Sequence, residues 1–356
     1  MKCICPEAWI PLPFLEWDAK PKGPCAGRAK RRRRSVASME KSLKSGFMGS
    51  MLGSALGDAV GELAFRFPDK GALLDEVGRS RTLIYTDDTA MALGLARSLA
   101  EVGDLDQEQL GKRFRRDFEQ EPWRGYAQGP PTIFSRVKST GCTYVEAARR
   151  IFRGEGSLGN GAAMRVAPLG LFFHGEPDLH KKARASAEIT HAHPVGMDGA
   201  AVQATAVGLA LHLNPGEPLD IEKFVTVLQG ISSTTPIREK LHLLKELLST
   251  NAPPQEAAPL LGRTVAVHES LPFALYAFLK HPDAFEECLL CAVLHGGDRD
   301  TLGAMACAVS GAYLGVEALP RAWLDRLENR QYMEGLALDL HGRSEARKGK
   351  RVFRTN

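Results

Sequence analysis

Apolar residues recur every three to four positions along most of this 356-residue chain, and few stretches alternate with period two for long enough to build a sheet. The pattern predicts helices over residues 43–61, 88–101, 106–120, 143–152, 162–173, 178–192, 197–212, 219–230 and 235–250. Further segments follow at 269–280, 283–294, 300–314 and 321–336. Pro168 must shorten or bend the 162–173 helix. Residues 121–142 read as a loop. Residues 251–260, around Pro253-Pro254, read as a linker, with no composition shift to mark a domain boundary. The expected fold class is all-α: a compact orthogonal bundle of about a dozen helices over residues 43–340.

Within the first helix Gly46, Gly49, Gly53, Gly57 and Gly61 fall at spacings of three or four. Each costs about 1 kcal/mol of helix propensity relative to Ala, so the stripe implies tight packing against another helix or a ligand near the helix end. The flanks are polar and the run is short, which excludes a membrane dimerisation motif. Asp58 and Glu62, four apart, share a face of this helix as possible site acids, although a solvated face explains Glu62 as well.

Composition changes the picture at the ends of the chain. Residues 1–38 carry nine Lys/Arg against three Asp/Glu, so the remaining 318 residues sum to −2 although the whole chain is +4. A nucleic-acid enzyme is expected to carry positive charge on its folded body, and here the strongest block, Lys30 to Arg34, lies in a Pro-rich segment. Residues 1–42 are therefore expected to be an extension or basic tail, with Trp9, Phe14 and Trp17 docked or loose and Met39 a natural beginning. Residues 341–356, also basic, are expected to be a frayed tail. The order of apolar and basic residues is wrong for a secretory signal. No apolar run is long enough to span a bilayer. Seven scattered Cys fit a reducing compartment rather than a disulfide scaffold, so a cytoplasmic protein is expected.

The candidate chemistry begins at Thr86-Asp87-Asp88-Thr89, just before an apolar helix. Taken alone, this is a helix cap with a second acid in the first turn. About 210 residues later the form recurs: Gly296-Gly297-Asp298-Arg299-Asp300-Thr301 precedes another small-residue helix. If the two helix starts face each other, Thr86, Asp87, Asp88, Asp298, Asp300 and Thr301 supply four carboxylates and two hydroxyls. Such a set can hold one or two hard cations. A structural Ca²⁺ is the alternative, without EF-hand spacing. Gly154 to Gly161 is a Gly-rich turn whose N–H groups suit a phosphate, or else an ordinary helix connection; it is not a Walker A motif. His191 and His193 lack partners for zinc, so they are capping or core residues, with His191 also able to bond phosphate or ribose. His295, Cys288 and Cys291 read as structural.

In order along the chain, Gly57-Asp58-Ala59-Val60-Gly61, Tyr85 to Thr89, Gly159 to Arg165, Thr190-His191 and Gly296 to Thr301 resemble the motifs of the ADP-ribosylglycohydrolase family. The resemblance implies an all-helical, usually monomeric enzyme that binds two Mg²⁺, with Mn²⁺ as an alternative. It implies hydrolysis of the glycosidic bond between ADP-ribose and a protein side chain. Thr86, Asp87, Asp88, Asp298, Asp300 and Thr301 correspond to the metal ligands. Ser157, Gly159, Asn160 and Gly161 correspond to the pyrophosphate and ribose contacts, and His191 to the histidine near the nucleotide. Asp87, Asp88, Asp300 and Glu62 are the candidate catalytic acids. Two residues depart from the pattern. Phe65 stands where many members have a Glu, leaving Glu62 as the nearby acid, and Leu158 stands where some have an aromatic ring. Arginine-linked ADP-ribose is the favoured substrate, because the motifs lean toward the bacterial type. Serine-linked and O-acyl-ADP-ribose come next, and an inactive ADP-ribose-binding protein is the alternative of another class. No membrane and no specific nucleic acid is expected among the partners; an ADP-ribosylated protein is.

Overall fold

A computed structural model describes residues 41–352, with side chains to residue 349. The extension's Trp9, Phe14, Trp17, basic block and first three cysteines lie outside the described residues. The described part is all-α, as the periodicity predicts. Its helices are α1 Leu43–Arg66, α2 Lys70–Arg79, α3 Asp87–Val102, α4 Gln107–Gln120, α5 Gly129–Thr140 and α6 Tyr144–Arg149. Then come α7 Gly161–Met164, α8 Ala167–Phe172, α9 Leu179–Glu188, α10 Pro194–His212, α11 Ile221–Ile231 and α12 Thr235–Ser249. The last are α13 Pro254–Leu261, α14 Val267–Lys280, α15 Phe285–His295, α16 Arg299–Leu314, α17 Arg321–Leu324 and α18 Arg330–Val352. Among the described residues, β-pairing is confined to two isolated bridges, Leu83 with Leu327 and Gly159 with Ala266.

Helix α2 has no counterpart among the predicted segments. Four other segments differ from the periodicity, and proline explains two of them. The expected loop at 121–142 contains α5, where Pro130 and Pro131 occupy the first turn, in which a missing N–H costs nothing. Ile133 and Phe134 bury its apolar face, and Gly141 ends it at φ 69°. The expected linker at 251–260 contains α13; Pro253 is its N-cap and Pro254 its first residue. The 162–173 segment breaks at Arg165–Val166 into α7 and α8, with Pro168 in the first turn of α8. The 321–336 segment splits at Asn329, which takes a left-handed φ of 54°. The expected basic tail from residue 341 is also corrected. It continues α18, because Ser344 Oγ donates to the Phe172 carbonyl (2.7 Å), and Arg347 pairs with Glu176 (2.9 Å) and Asp104 (3.1 Å).

Helices α1 and α16 lie side by side through the centre. The glycine stripe is what lets them touch. A methyl group on Gly57 would land on the Gly303 carbonyl oxygen, and one on Gly61 would meet the Arg299 carbonyl and the Asp300 Cα, each at 2.5 Å. Ser50 Oγ donates across the same seam to the Ala308 carbonyl (2.8 Å). The backbones are thereby pressed together, and the Asp300 end of α16 is fixed against α1. Helices α10 and α14, rich in buried small and aromatic residues, enclose α16. Cys288, Cys291 and Cys307 are buried in this core, as read for the first two.

Candidate active site

Asp58, fully buried on α1, organises one half of the site. It accepts from the Thr86 N–H (3.0 Å) and Thr86 Oγ1 (2.8 Å), and from the Thr89 N–H (3.0 Å) and Thr89 Oγ1 (2.6 Å). It thus caps the start of α3 from a neighbouring helix. That capping leaves Asp87 and Asp88 in the first turn of α3, where Asp88 Oδ2 also accepts from Thr86 Oγ1 (3.1 Å). The other half is the start of α16, where Asp300 Oδ1 accepts the Thr301 N–H (2.9 Å) and Asp298 Oδ2 accepts from Asn160 Nδ2 (2.5 Å).

These acids have few cations among them. Burial raises the Asp58 carboxyl to about 6 against the hydrogen bonds from Thr89 and Thr86. Burial, then repulsion from Asp58, raises Asp87 to about 7. Burial, then repulsion from Asp298, raises Asp300 to about 8. Asp88 is also raised well above the ordinary carboxyl range, by burial and then by Asp300. Asp88 Oδ1 is buried with no hydrogen-bond partner. Among the described residues, no three His, Cys, Asp or Glu side chains form a ready-made cage for an ion. Both Asp58 oxygens are committed to Thr86 and Thr89, and an Asp298 oxygen to Asn160.

Two clefts meet at Asp87, Gly125 and Asp300. One is lined by Asp88, Ser157, Gly159, Asn160, Gly161, His191, Asp298 and Thr301, so it gathers every expected nucleotide contact with most of the expected metal ligands. The other holds Thr86 and Glu62. Glu62 is exposed; Phe65 is 47% exposed and does not line either cleft. The Gly-rich turn is less free than a phosphate cradle requires. The Gly159 N–H donates to Ser157 Oγ (3.1 Å), and the Asn160 N–H to the Val265 carbonyl (2.8 Å).

Sequence reasoning missed four contributors. Arg165, quoted only as part of a motif, is 1% exposed, and its guanidinium donates to Thr190 Oγ1 (2.7 Å) and the Gly161 carbonyl (3.2 Å). Thr190 Oγ1 lies 2.8 Å from His191 Nδ1. Burial, then the charge of Arg165, lowers His191 to about 3, so the ring is neutral. Thr190 Oγ1 also lies 3.4 Å from the Ala187 carbonyl, and the His191 ring edge bearing Nε2 lies beside Gly159 and Gly161. Phe152 is 57% exposed at a left-handed φ of 49° and lines the nucleotide-side cleft, where Leu158 offers no ring. Arg124 donates to the Tyr85 carbonyl (3.0 Å), to both Glu328 oxygens (2.7 and 3.0 Å) and to Glu121 (3.0 Å), and lies over the Tyr85 ring. A left-handed, exposed aromatic followed by Arg153 at φ 61° and Gly154 at φ 93° is the kind of strained turn that a sequence without a Gly at Phe152 does not announce. His193 is a cap, its Nδ1 accepting the Val195 N–H (3.1 Å).

Comparison with known proteins identifies relatives of the chain. A family model described as ADP-ribosylglycohydrolase matches residues 39–350. The ADP-ribosylhydrolase ARH3 of Bos taurus is 35% identical over 300 residues, 77% of this chain and 82% of that protein. The Homo sapiens ARH3 is 34% identical over the same shares. The ADP-ribosyl-[dinitrogen reductase] glycohydrolase of Rhodospirillum rubrum is 30% identical over 253 residues, 68% of this chain and 73% of that one. A solved structure described as an ADP-ribosylglycohydrolase-related protein complex superposes with a TM-score of 0.65 at 27% identity. It covers 85% of this chain and 99% of its own.

Proposed function

From the premise that the chain belongs to the ADP-ribosylglycohydrolase family and hydrolyses ADP-ribose linkages, we propose that its substrate is ADP-ribose joined through oxygen to a protein side chain, serine first. The arginine linkage was favoured on a lean toward the bacterial type. The ARH3 relatives match at higher identity and over more of the chain than the dinitrogen reductase enzyme does, which weakens that ground. One observation keeps arginine as the second reading: Glu62 and Glu76 line the cleft away from the nucleotide side, and acids suit a guanidinium leaving group.

The observation that carries the proposal is the meeting of the two clefts at Asp87 and Asp300. One cleft offers the neutral His191 ring and an exposed Phe152 ring, which suit a ribose or phosphate oxygen and a purine face. The reacting anomeric carbon then lies at the acids. The residues there fit hard cations: every donor is oxygen, Asp88 Oδ1 is buried without a partner, and burial, then mutual repulsion, raises the carboxyls. Thr86, Asp87, Asp88, Asp298, Asp300 and Thr301 would hold two Mg²⁺, or Mn²⁺. Such ions would supply charge stabilisation to the ribose hydroxyls and acidify a water.

The chain's own groups do the rest. Asp87, Asp88 or Asp300 takes a proton from the attacking water. The bond from the anomeric carbon to the side-chain oxygen breaks, and that oxygen takes back the proton that the aspartate removed from the water. His191 and Asn160 hold the nucleotide end. We expect a monomeric protein acting in the cytoplasm; among the described residues, no helix is long and apolar enough to cross a membrane.

The test is release of ADP-ribose from serine-linked and arginine-linked peptides, with Mg²⁺ and with a chelator. The serine peptide should turn over faster, and chelation should stop both reactions. Asp300→Asn should weaken Mg²⁺ binding and lower turnover by about 10³-fold. Unchanged Mg²⁺ titration and unchanged hydrolysis in that variant would sink the metal reading, and faster arginine cleavage would reverse the choice of linkage.

A further inference from the structure

Resting on that function, we infer that the cleft bearing Trp123 is the docking surface for the polypeptide that carries the ADP-ribose, and that Trp123 selects among such polypeptides. A glycosidic bond has two sides. With the nucleotide in the His191 cleft and the bond at Asp87 and Asp300, the acceptor chain has the other cleft to occupy. That cleft presents Trp123, 71% exposed, and Ile84, 59% exposed. The indole is not on a loose loop. Its neighbour Arg124 is 6% exposed and is tied to Tyr85, Glu121 and Glu328, so the backbone that displays Trp123 is fixed. A large ring held out on a fixed support loses little freedom when a partner covers it, which is how aromatic anchors dominate recognition surfaces.

The surroundings specify the partner's chemistry. Glu62 and Glu76 line the same cleft, and the charge of Arg124 is already spent on Glu121 and Glu328, which leaves Arg66 as the opposing cation. The surface therefore fits an extended segment with an apolar residue against Trp123 and Ile84, and a basic residue near Glu62 and Glu76.

The full-length protein, with Mg²⁺, should be given two substrates of one linkage: ADP-ribosyl-serine as the free amino acid, and the same group in a peptide with leucine and lysine beside the serine. Wild type should prefer the peptide. Trp123→Ala should lower the peptide-to-amino-acid ratio of kcat/KM about ten-fold, mainly through KM, and Trp123→Phe should restore most of it. Equal loss on both substrates, or a wild type without preference, would overturn this inference and leave the function standing. No turnover of either substrate by wild type would overturn the function and this inference with it. A wild-type dimer in sedimentation that Trp123→Ala dissolves would assign the surface to a second copy instead.

Discussion

Asp58 and Asp198 are built alike and end differently. Each is a fully buried aspartate on a central helix, α1 and α10, and each caps the start of another helix. Asp58 takes the amides and hydroxyls of Thr86 and Thr89 at the start of α3. Asp198 takes those of Ser233 and Thr234 and the hydroxyl of Ser232, at the start of α12. One difference is a cation. Arg184 Nη2 lies 2.7 Å from Asp198 Oδ1. Burial pushes Asp198 up, but the bonds from Thr234, Ser233, Arg184 and Ser232 outweigh it and hold the carboxyl below its ordinary range. Asp58 has no such partner, and its neighbours are Asp87, Asp88 and Asp300, so burial lifts it to about 6. Where the chain supplies the positive charge, the device is structural. Where it withholds it, the charge must come from outside, and that is the mark of the site.

The largest contrast is in activity. Asp58→Asn offers an amide N–H to groups that are themselves donors, so the start of α3 should shift and carry Asp87 and Asp88 with it. Turnover should fall by about 10²-fold, roughly 2.7 kcal/mol of barrier. Asp198→Asn leaves Arg184 without its partner and should cost about 3 kcal/mol of stability, yet turnover per folded molecule should stay within about three-fold of wild type. Urea unfolding and active-site-normalised kinetics measure both. Equal losses of turnover would erase the distinction between the two aspartates.

The next contrast is in pH, and the signs are opposite. Asp198, lowered in the fold, contributes stability above the unfolded value of about 3.9 and loses it as pH falls through its folded value. Asp58, Asp87 and Asp300, raised to about 6, 7 and 8, bind protons more tightly when folded. In chelator their contribution is greatest at low pH and declines as pH rises from about 4 to about 8. Mg²⁺ should therefore raise Tm more at pH 8 than at pH 5. Thermal melts with and without Mg²⁺ across that range decide the matter; a Mg²⁺ effect that shrinks with rising pH would refute it.

The same two aspartates show what a sequence can carry. The helical class was legible because apolar spacing is local. The acids at Asp87, Asp88, Asp298 and Asp300 were legible because two helix starts repeat one form. Asp58 reads from the sequence as a face-sharing acid within a family motif, but its capping role does not, since it lies in Thr86 and Thr89, 28 and 31 residues away. Asp198 lies in a predicted helix but drew no role of its own, because its partners are Arg184 on another helix and Ser232 to Thr234, more than thirty residues on. The Arg165–Thr190–His191 relay was hidden for the same reason. Pro130 and Pro253 misled in the other direction, because proline reads as a breaker although it also opens helices.

The smallest effect separates the charge of Arg184 from the hydrogen bonds around Asp198. Arg184→Met keeps much of the aliphatic stem and removes the ion pair, along with a bond to the Ile231 carbonyl (2.8 Å). Asp198 would still accept from three hydroxyls and two amides. If those donors carry most of the cap, the cost should be about 1–2 kcal/mol, less than Asp198→Asn, and the loss of stability on acidification should persist in weakened form. If the cation is what keeps Asp198 ionised, the variant should cost as much as Asp198→Asn and its stability should no longer fall between about pH 4 and pH 3. The second result would place Asp198 beside Asp58 as a carboxylate that cannot stay charged on hydrogen bonds alone, and would strengthen the case that the acids at α3 and α16 need a cation of their own.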